Sequence, residues 1–302
     1  MRTIGAAIPL AIALLGVSNI GPGTEVTGTR MRLASNAKTT DIVAAASLND
    51  DELTWLSEQN PFGIPQIQTP GNRTLVVREG YSMAHDNVDL VANWVAFHLT
   101  KKYAEGSEKR PSSSYFKPDP LLPVGHRAEL ADYKGWKNIY DRGHQCASGD
   151  SKGRGTRVIR ESFYLSNMTP QNSKLNQQKW KVLEGKIQHL AETRGELWVT
   201  TGPAWVDEDG DGLVEYSVIG KDEVAVPTHY YKIVLARAED GSGDLEAMAF
   251  LIPNEPMEGS YSDYLRSIDE IEELTGIDFF EKLPDAQEDE LEAGTVEEVW
   301  TE

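Results

Sequence analysis

The stretch Asp141-Arg142-Gly143-His144, followed by Ser166-Asn167-Met168-Thr169-Pro170-Gln171 and then by Asn176, Trp180 and Glu184, is the part of the chain that decides its fold. It brings one histidine, one arginine, several side-chain amides and a carboxylate into a window of 44 residues. Side chains of these types can supply a base, an anion ligand and ligands for a hard cation. The sequence therefore predicts that this window is the chemical centre of the chain.

Around this window, hydrophobic spacing predicts a mixture of helices and strands. A helix is expected over residues 176–193, with Glu184 at the edge of its buried face. The apolar residues that form this face are Trp180, Leu183, Ile187 and Leu190. Residues 88–103 mix strand and helix spacing. The remaining expected elements are strands at residues 74–77, 163–165, 197–201, 230–235 and 247–252 and a helix at residues 262–275 that ends at Gly276.

The residues of the window fit the hydrolysis of a phosphodiester bond. That reaction needs a base to deprotonate water, a cation to neutralise developing charge and donors to hold the nonbridging oxygens. His144 can be the base, because an imidazole titrates near neutral pH. Arg142 offers a planar fork of donors for a phosphate. Asn176 can bind a hard cation through its amide oxygen, and Glu184 can hold the water molecules that such a cation retains.

Each of these residues also has an ordinary structural interpretation. His144 could be a core or surface histidine, and Glu184 could be one more exposed carboxylate on a helix. Asn167 and Asn176 could be a turn residue and a helix cap, which are common roles for asparagine. The occurrence of all these residues together favours a catalytic site.

The window resembles that of the DNA/RNA non-specific endonucleases of the ββα-metal, or His-Me finger, class. The resemblance is carried by Asp141-Arg142-Gly143-His144-Gln145, Leu165-Ser166-Asn167-Met168-Thr169-Pro170-Gln171, Leu175-Asn176-Gln177 and residues 180–184, and it extends over residues 75–285. It implies an α+β fold, with a central and mostly antiparallel sheet flanked by helices.

The resemblance also implies a role for each matching residue. His144 corresponds to the general base, Asn176 to the direct protein ligand of Mg²⁺ or Mn²⁺, and Glu184 to the anchor of metal-bound water. Arg142 and Asn167 correspond to residues that support the active site.

Two positions are matched less closely. Arg110 corresponds to the family's phosphate-contacting arginine, ahead of Lys117-Pro118-Asp119-Pro120, and residues 111–114 lengthen this spacing. The chain departs from the family's pattern at Cys146-Ala147-Ser148. Cys146 is interpreted as a small buried hydrophobic residue.

Length and charge limit the interpretation. A chain of 302 residues with 39% hydrophobic residues suits one catalytic domain with extensions. The formal net charge of −19 argues against a polyanionic substrate. However, residues 131–190 carry seven lysines and four arginines against five carboxylates, whereas the segment from residue 281 onward is strongly acidic. We therefore expect a basic face around the histidine, formed in part by Lys152, Arg154, Arg157 and Arg160, and an acidic tail that repels substrate.

The chain is expected to have four parts. They are a signal peptide at residues 1–18, a linker or N-terminal extension at 19–72, the nuclease domain at 73–285 and an acidic C-terminal tail at 286–302. A basic start followed by an apolar run is typical of an export signal. The signal predicts a secreted or periplasmic protein without stable membrane association after cleavage, and an uncleaved anchor is the alternative.

A separate acidic loop resembles the start of a calcium-binding loop. In Asp207-Glu208-Asp209-Gly210-Asp211-Gly212, alternating carboxylates precede a glycine, but Val218 stands where a calcium loop has its twelfth-position glutamate. Asp207, Asp209 and Asp211 are therefore interpreted either as an acidic hairpin turn or as a weak Ca²⁺ site.

Two functions follow from these features. The first is an exported, Mg²⁺-dependent endonuclease that cuts DNA and RNA with little sequence preference. The second is a catalytically inactive extracellular module that keeps the nuclease fold, is stabilised by calcium and binds a partner. The presence of His144 and Asn176 favours the enzyme. A homodimer is a further assembly that the sequence leaves open.

Overall fold

The computed structural model describes residues 29–33, 48–296 and 299–300. The expected signal peptide at residues 1–18 lies outside these described residues. Within them, none of the helices is both long enough and apolar enough to cross a membrane.

Strands account for most of the regular structure. In chain order they are β1 (Thr29–Leu33), β2 (Gln66–Ile67), β3 (Arg73–Val77), β4 (Ser82–Asp86), β5 (Ala92–Thr100), β6 (Tyr140–His144), β7 (Met168–Asn172), β8 (Glu196–Ala204), β9 (Leu213–Ile219), β10 (Val224–Ala225), β11 (His229–Arg237), β12 (Leu245–Pro253), β13 (Leu265–Arg266) and β14 (Ile277–Asp278).

Helices lie between and after these strands. In chain order they are α1 (Asp50–Gln59), α2 (Lys101–Ala104), α3 (Thr156–Glu161), α4 (Ser173–Leu175), α5 (Lys181–Arg194), α6 (Ile268–Thr275) and α7 (Asp285–Ala293). A π-helical turn, Asn176–Trp180, joins α4 to α5.

The central sheet has seven strands in the order β13-β12-β11-β8-β5-β4-β3. Every neighbouring pair of these strands is antiparallel. The α+β class, with a mostly antiparallel central sheet, is thus confirmed. Strand alternation divides the sheet into two faces. Tyr230 and Val234 of β11 belong to the core that contains α5, whereas Tyr231 and Ile233 belong to the core that contains α6 and α7.

The residues of the window, 141–184, lie in a smaller unit of two strands and a helix that is separate from the central sheet. β6 and β7 form an antiparallel pair in which Gly143 faces Thr169 and His144 faces Met168. The chain then enters α4, the π turn and α5. The apolar face expected for this helix is confirmed, because Trp180, Leu183, Ile187 and Leu190 are all buried in the core. A hydrophobic stripe on one side of a helix holds the opposite side toward solvent.

Segments at both ends of the domain are folded, although the sequence predicts a linker at one end and an acidic tail at the other. Part of the expected linker forms α1 and β2, and β2 pairs with β14. The expected acidic tail includes α7, in which Leu291 and Glu292 are buried. Val299 also lies in the core. The described portions of both segments are thus parts of the folded domain.

Three expected elements differ from the structure. Residues 163–165 were expected to form a strand, but they lie between α3 and a 3₁₀ turn at Leu165–Asn167. The mixed pattern at residues 88–103 resolves into β5 followed by α2. The expected helix at residues 262–275 is shorter, because Ser267 caps α6 at its start and Gly276 ends it in the left-handed conformation at φ 66°.

Candidate active site

The β6–β7 pair allows unusually close packing at the centre of the window. A side chain at Gly143 would place its Cβ 2.3 Å from Oε1 of Gln171 and 2.5 Å from Cβ of the same residue. Only glycine permits this approach without displacing the facing strand. The glycine therefore sets the spacing between the strand that carries His144 and the strand that leads into the helix.

His144 lies in an aromatic pocket. Its ring centre is 5.7 Å from that of Phe116 and 5.0 Å from that of Phe163, and the residue is 6% exposed. The buried Nε2 atom has no hydrogen-bond partner among the described residues. Burial, and then the charges of Arg110 and Arg142, lower the pKa of His144 to about 3. The imidazole is therefore neutral at physiological pH.

Two arginines flank this aromatic pocket. The guanidinium carbon of Arg142 lies 4.1 Å from the centre of the Phe116 ring. That of Arg110 lies 5.2 Å from the centre of the Phe163 ring, and Nη1 of Arg110 donates to Oγ of Ser148 at 2.9 Å. The structure thus brings both sequence-predicted arginines to the histidine, with positive charge on either side of it.

Asn176 is held by a carboxylate of the histidine strand. Nδ2 of Asn176 donates to Oδ2 of Asp141 at 2.8 Å. Gln177 donates to the same oxygen, and Ser173 donates to Oδ1 of Asp141. A carboxylate only accepts hydrogen bonds, so the amide nitrogen of Asn176 faces Asp141 and its amide oxygen remains for another ligand. An amide oxygen presented in this way suits a hard cation.

Glu184 adjoins a small group of buried charges. Burial, and next the charge of Asp150, raise the pKa of Glu184 to about 7, against the lowering effects of Lys232 and Arg110. Asp150 is fixed by Gln188 at 2.8 Å and by the backbone of Ala147 at 3.0 Å. Lys232 is 2% exposed, and burial lowers its pKa. Because Arg110 acts on both His144 and Glu184, the structure brings these three predicted residues into one electrostatic site.

Asn167 braces the turn that follows His144. Its Nδ2 donates to the carbonyl oxygens of Cys146 and Ser162, at 2.9 and 2.8 Å, and its Oδ1 accepts from the backbone nitrogen of Cys146 at 3.0 Å. Asn167 is fully buried. These bonds position the chain that follows His144, and they occupy both amide atoms of Asn167. Cys146 is itself buried in the main core, in agreement with its interpretation as a hydrophobic residue.

Some of the buried polar atoms without a hydrogen-bond partner among the described residues lie on or beside β6 and β7. Besides Nε2 of His144, they include Oε1 of Gln145 and both amide atoms of Gln171. A buried polar group without a partner costs roughly 1–3 kcal/mol, so such groups mark places where ligands complete the bonding. Together with the free oxygen of Asn176 and the carboxylate of Glu184, this donor set fits a hydrated hard cation beside a phosphate.

Part of the expected basic face is engaged within the protein. Arg154 donates to the carbonyl oxygens of Glu79 and His98, at 2.8 and 2.9 Å. Arg157 forms ion pairs with Glu79 and Glu161. These bonds occupy some of their donors, whereas Nε of Arg154 has no hydrogen-bond partner among the described residues, so contact of the two arginines with phosphate stays a prediction.

Sequence reasoning gave no role to some residues that shape the site. Asp141 stood inside the quoted window and was still overlooked. Phe116 adjoins the Lys117-Pro118-Asp119-Pro120 loop, and Asp119 of that loop accepts a hydrogen bond from Ser166 at 2.6 Å. Lys232 did leave a signal, since it is a lysine inside the otherwise apolar strand β11.

The arrangement of a histidine strand, a facing strand and a helix that carries Asn176 is shared with known proteins. Residues 58–286 match the DNA/RNA non-specific endonuclease family. The chain belongs to this family. It is therefore a hydrolase that acts on nucleic acids.

Individual relatives agree with this membership. A mitochondrial nuclease EXOG of Xenopus laevis is 33% identical over 264 residues, which cover 83% of this chain and 72% of the relative. The EXOG of Danio rerio is 36% identical over 235 residues, covering 76% of this chain and 66% of the relative. A chain in the crystal structure of the EndoG/EndoGI complex is 29% identical with a TM-score of 0.67, covering 77% of this chain and 94% of that one. This last similarity confirms the ββα-metal endonuclease fold.

The comparison corrects one expectation. The signal-like N-terminus predicted a secreted or periplasmic protein, but the EXOG relatives, and the endonuclease G of Bos taurus at 34% identity, are mitochondrial nucleases. The predicted secreted or periplasmic location is therefore wrong.

Proposed function

We propose that this family member is a metal-dependent endonuclease that hydrolyses phosphodiester bonds of DNA and RNA with little sequence preference. The observation that carries the proposal is His144, a buried neutral imidazole whose Nε2 has no hydrogen-bond partner among the described residues and on which the charges of two arginines act. A histidine that acts as a general base needs a ring nitrogen that is not already bonded within the protein.

Binding of substrate tunes this base. In the free protein, burial and then the charges of Arg110 and Arg142 lower the pKa of His144 to about 3. A phosphate held between the arginines compensates their charge, so the pKa of His144 rises toward the working pH, where a general base is most effective. Nε2 of His144 then removes a proton from the attacking water, while the arginine donors hold the nonbridging oxygens.

Asn176 and Glu184 are the residues that would hold a Mg²⁺ or Mn²⁺ ion. Asn176 would bind it through the amide oxygen, and Glu184 would accept hydrogen bonds from its water molecules. When bound, such an ion neutralises the charge that develops on the leaving oxygen. Asp141 keeps the amide of Asn176 in place, and Lys232 and Arg110 favour the ionised form of Glu184.

The direct test is cleavage of plasmid DNA and of RNA by the purified protein, with Mg²⁺ and with excess chelator. We expect both substrates to be cut only with the metal. His144→Ala should lose roughly 10²–10⁴-fold in rate while keeping substrate binding. Asn176→Ala should weaken the response to Mg²⁺ together with the rate. Binding without cleavage by the wild type would instead identify an inactive nuclease-fold module.

Calcium binding by the acidic loop stays a prediction. Asp207, Asp209 and Asp211 place carboxylate oxygens within 4.8 Å of one another. However, Asp207 already accepts the backbone N–H groups of Gly210 and Gly212, each at 2.8 Å, as in a simple acidic turn. If the loop binds Ca²⁺, Asp209→Ala should reduce the amount of calcium bound per chain without changing Mg²⁺-dependent cleavage. Equilibrium dialysis measures this difference.

A further inference from the structure

Three carboxylates meet between α6 and α7, on the face of the sheet opposite α5. They belong to Asp269 and Glu272 of α6 and to Glu292 of α7. One carboxylate oxygen from each lies within 4.8 Å of the other two. Residues of both helices contribute to the core on this face. The group therefore lies where two helices are held against the sheet, away from the core that contains α5.

Glu292 is the unusual member of the group. It is 7% exposed, and its Oε1 has no hydrogen-bond partner among the described residues. Its neighbour Leu291 packs in the same core. Carboxylates that are nearly fully buried are almost always paired, because removing an ionised group from water costs several kcal/mol. Glu292 instead places a carboxylate oxygen within 4.8 Å of oxygens of two further carboxylates.

The surroundings add negative charge. Asp278 and Glu288 act on both Glu272 and Glu292. Among the described residues, no salt bridge joins a lysine or arginine to Asp269, Glu272 or Glu292. The side chain of Glu272 accepts a hydrogen bond from the backbone nitrogen of Phe279, at 2.7 Å. The protein thus gathers acidic groups here without supplying a cationic side chain to balance them.

The pKa values of Glu272 and Glu292 show that this arrangement disfavours their ionised forms. Burial, followed by the neighbouring carboxylates, raises the pKa of Glu272 to about 7. Burial, followed by Glu272 and the other acidic neighbours, raises the pKa of Glu292 to about 9. Above neutral pH the group therefore opposes folding unless a positive charge joins it.

We propose that Asp269, Glu272 and Glu292 bind one hard divalent cation, which ties α7 to α6. An all-oxygen set of carboxylates is selective for hard cations. Calcium fits better than magnesium, because Ca²⁺ accepts irregular coordination whereas Mg²⁺ demands a near-ideal octahedron. The site is structural rather than catalytic, and most of α7 lies beyond the residues 58–286 that match the family.

The test uses the full chain carrying Asn176→Ala and Asp209→Ala, so that neither the active site nor the acidic loop contributes. After removal of metal with chelator, the melting temperature and the calcium bound per chain are measured at about pH 8, where calcium must displace the proton that its raised pKa leaves on Glu292. Ionic strength is held constant with NaCl. At roughly 100 times the dissociation constant we expect Ca²⁺ to raise the melting temperature by roughly 5–10 °C. One calcium ion per chain should be bound.

Glu292→Gln in this background should abolish both the calcium-dependent shift and the bound ion. Glu273→Gln is the matched control, because it removes one exposed carboxylate from the same helix α6 and should retain both effects. Should Glu292→Gln not fold, Asp269→Asn, at an exposed position, must lose the shift in its place. Absence of bound calcium in the background protein, or equal binding by Glu292→Gln, would overturn the proposal and leave a carboxyl group that shares a proton with its neighbours.

Discussion

Asp141 links the histidine strand to the helix that carries Asn176. One of its carboxylate oxygens accepts from Asn176 and Gln177, each at 2.8 Å, and the other accepts from Ser173 at 3.0 Å. Three donors from one short stretch of helix thus converge on one side chain of β6. The orientation of the proposed metal ligand depends on this carboxylate.

We predict that Asp141→Asn lowers the rate and the apparent affinity for Mg²⁺ together. An asparagine can turn its own amide donors toward Asn176, so the Asn176 amide loses its preferred orientation. Loss of such a supporting partner typically costs about 10- to 100-fold. Ser173→Ala is the matched control, because it removes the bond to Oδ1 and leaves the bond to Asn176 intact. Rates measured across a Mg²⁺ titration distinguish the two variants, and equal losses in both would contradict the role given to Asp141.

A second prediction concerns the pH dependence of cleavage. The pKa of Glu184 is raised to about 7 by burial and by Asp150, whereas the pKa of His144 is lowered to about 3. A raised carboxyl pKa means that the ionised form of Glu184 is lost as pH falls through about 7. His144 stays neutral over the same interval. The decrease of kcat/KM at low pH, its acid limb, should therefore follow the protonation of Glu184.

The measurement is kcat/KM from about pH 5 to about pH 9 at fixed ionic strength. A cation beside Glu184 favours its ionised form, so the limb should move to lower pH as Mg²⁺ increases. Glu184→Gln should remove the limb, and Glu192→Gln, farther along α5, should keep it. An unchanged limb in Glu184→Gln would assign the titration to another group.

At the scale of elements, the spacing between β6 and β7 depends on Gly143. A Cβ at this position would lie 2.3 Å from Gln171. We predict that Gly143→Ala forces the two strands apart, lowering the free energy of unfolding by about 1–3 kcal/mol and reducing the rate as His144 moves. The matched control is Gly185→Ala in α5, where a Cβ would meet nothing within 4 Å. That change should be neutral or stabilising by up to ~1 kcal/mol. Thermal unfolding and initial rates test both variants.

Hydrophobic periodicity predicted some elements well and others poorly, for physical reasons. The buried face of α5 and the strands β8, β11 and β12 could be predicted because their apolar residues face a large core. The β6–β7 pair could not be found in this way, since Tyr140–His144 contains few apolar residues and is held by backbone bonds and by Asp141. Only its resemblance to a known family indicated it. The aromatic pocket of His144 depends on Phe116 and Phe163, whose approach to the histidine has no local signal in the sequence.

At the scale of the whole molecule, the basic side chains differ in how readily they can reach a polyanionic substrate. The formal net charge is −19. Arg154 and Arg157 bind groups within the protein, whereas Arg160 and Lys174 are exposed near the site. The acidic C-terminal segment cannot be treated as a removable repulsive tail, because α7 and Val299 are packed in the cores. Deleting it would test stability rather than substrate capture.

We predict that reversing the charge of both Arg160 and Lys174 to glutamate raises KM for DNA and RNA alike. Contacts to phosphate carry no base information. For duplex DNA, each lost contact should reduce the steepness of the plot of log binding constant against log salt concentration by roughly 0.9. Lys282→Glu, an exposed reversal beside α7, is the control and should leave this slope unchanged. Superimposable salt curves for all three proteins would remove these cations from substrate capture.

Val299 and Trp300 tie the C-terminal segment to the helix beside the candidate active site. Val299 lies in the same core as Val95 of the central sheet and Trp180 of the active-site helix, and Arg194 at the end of α5 covers the ring of Trp300 at 4.6 Å. Proteolysis or a bulky fusion next to Val299 would therefore loosen the packing around Trp180, although neither change touches the histidine strand.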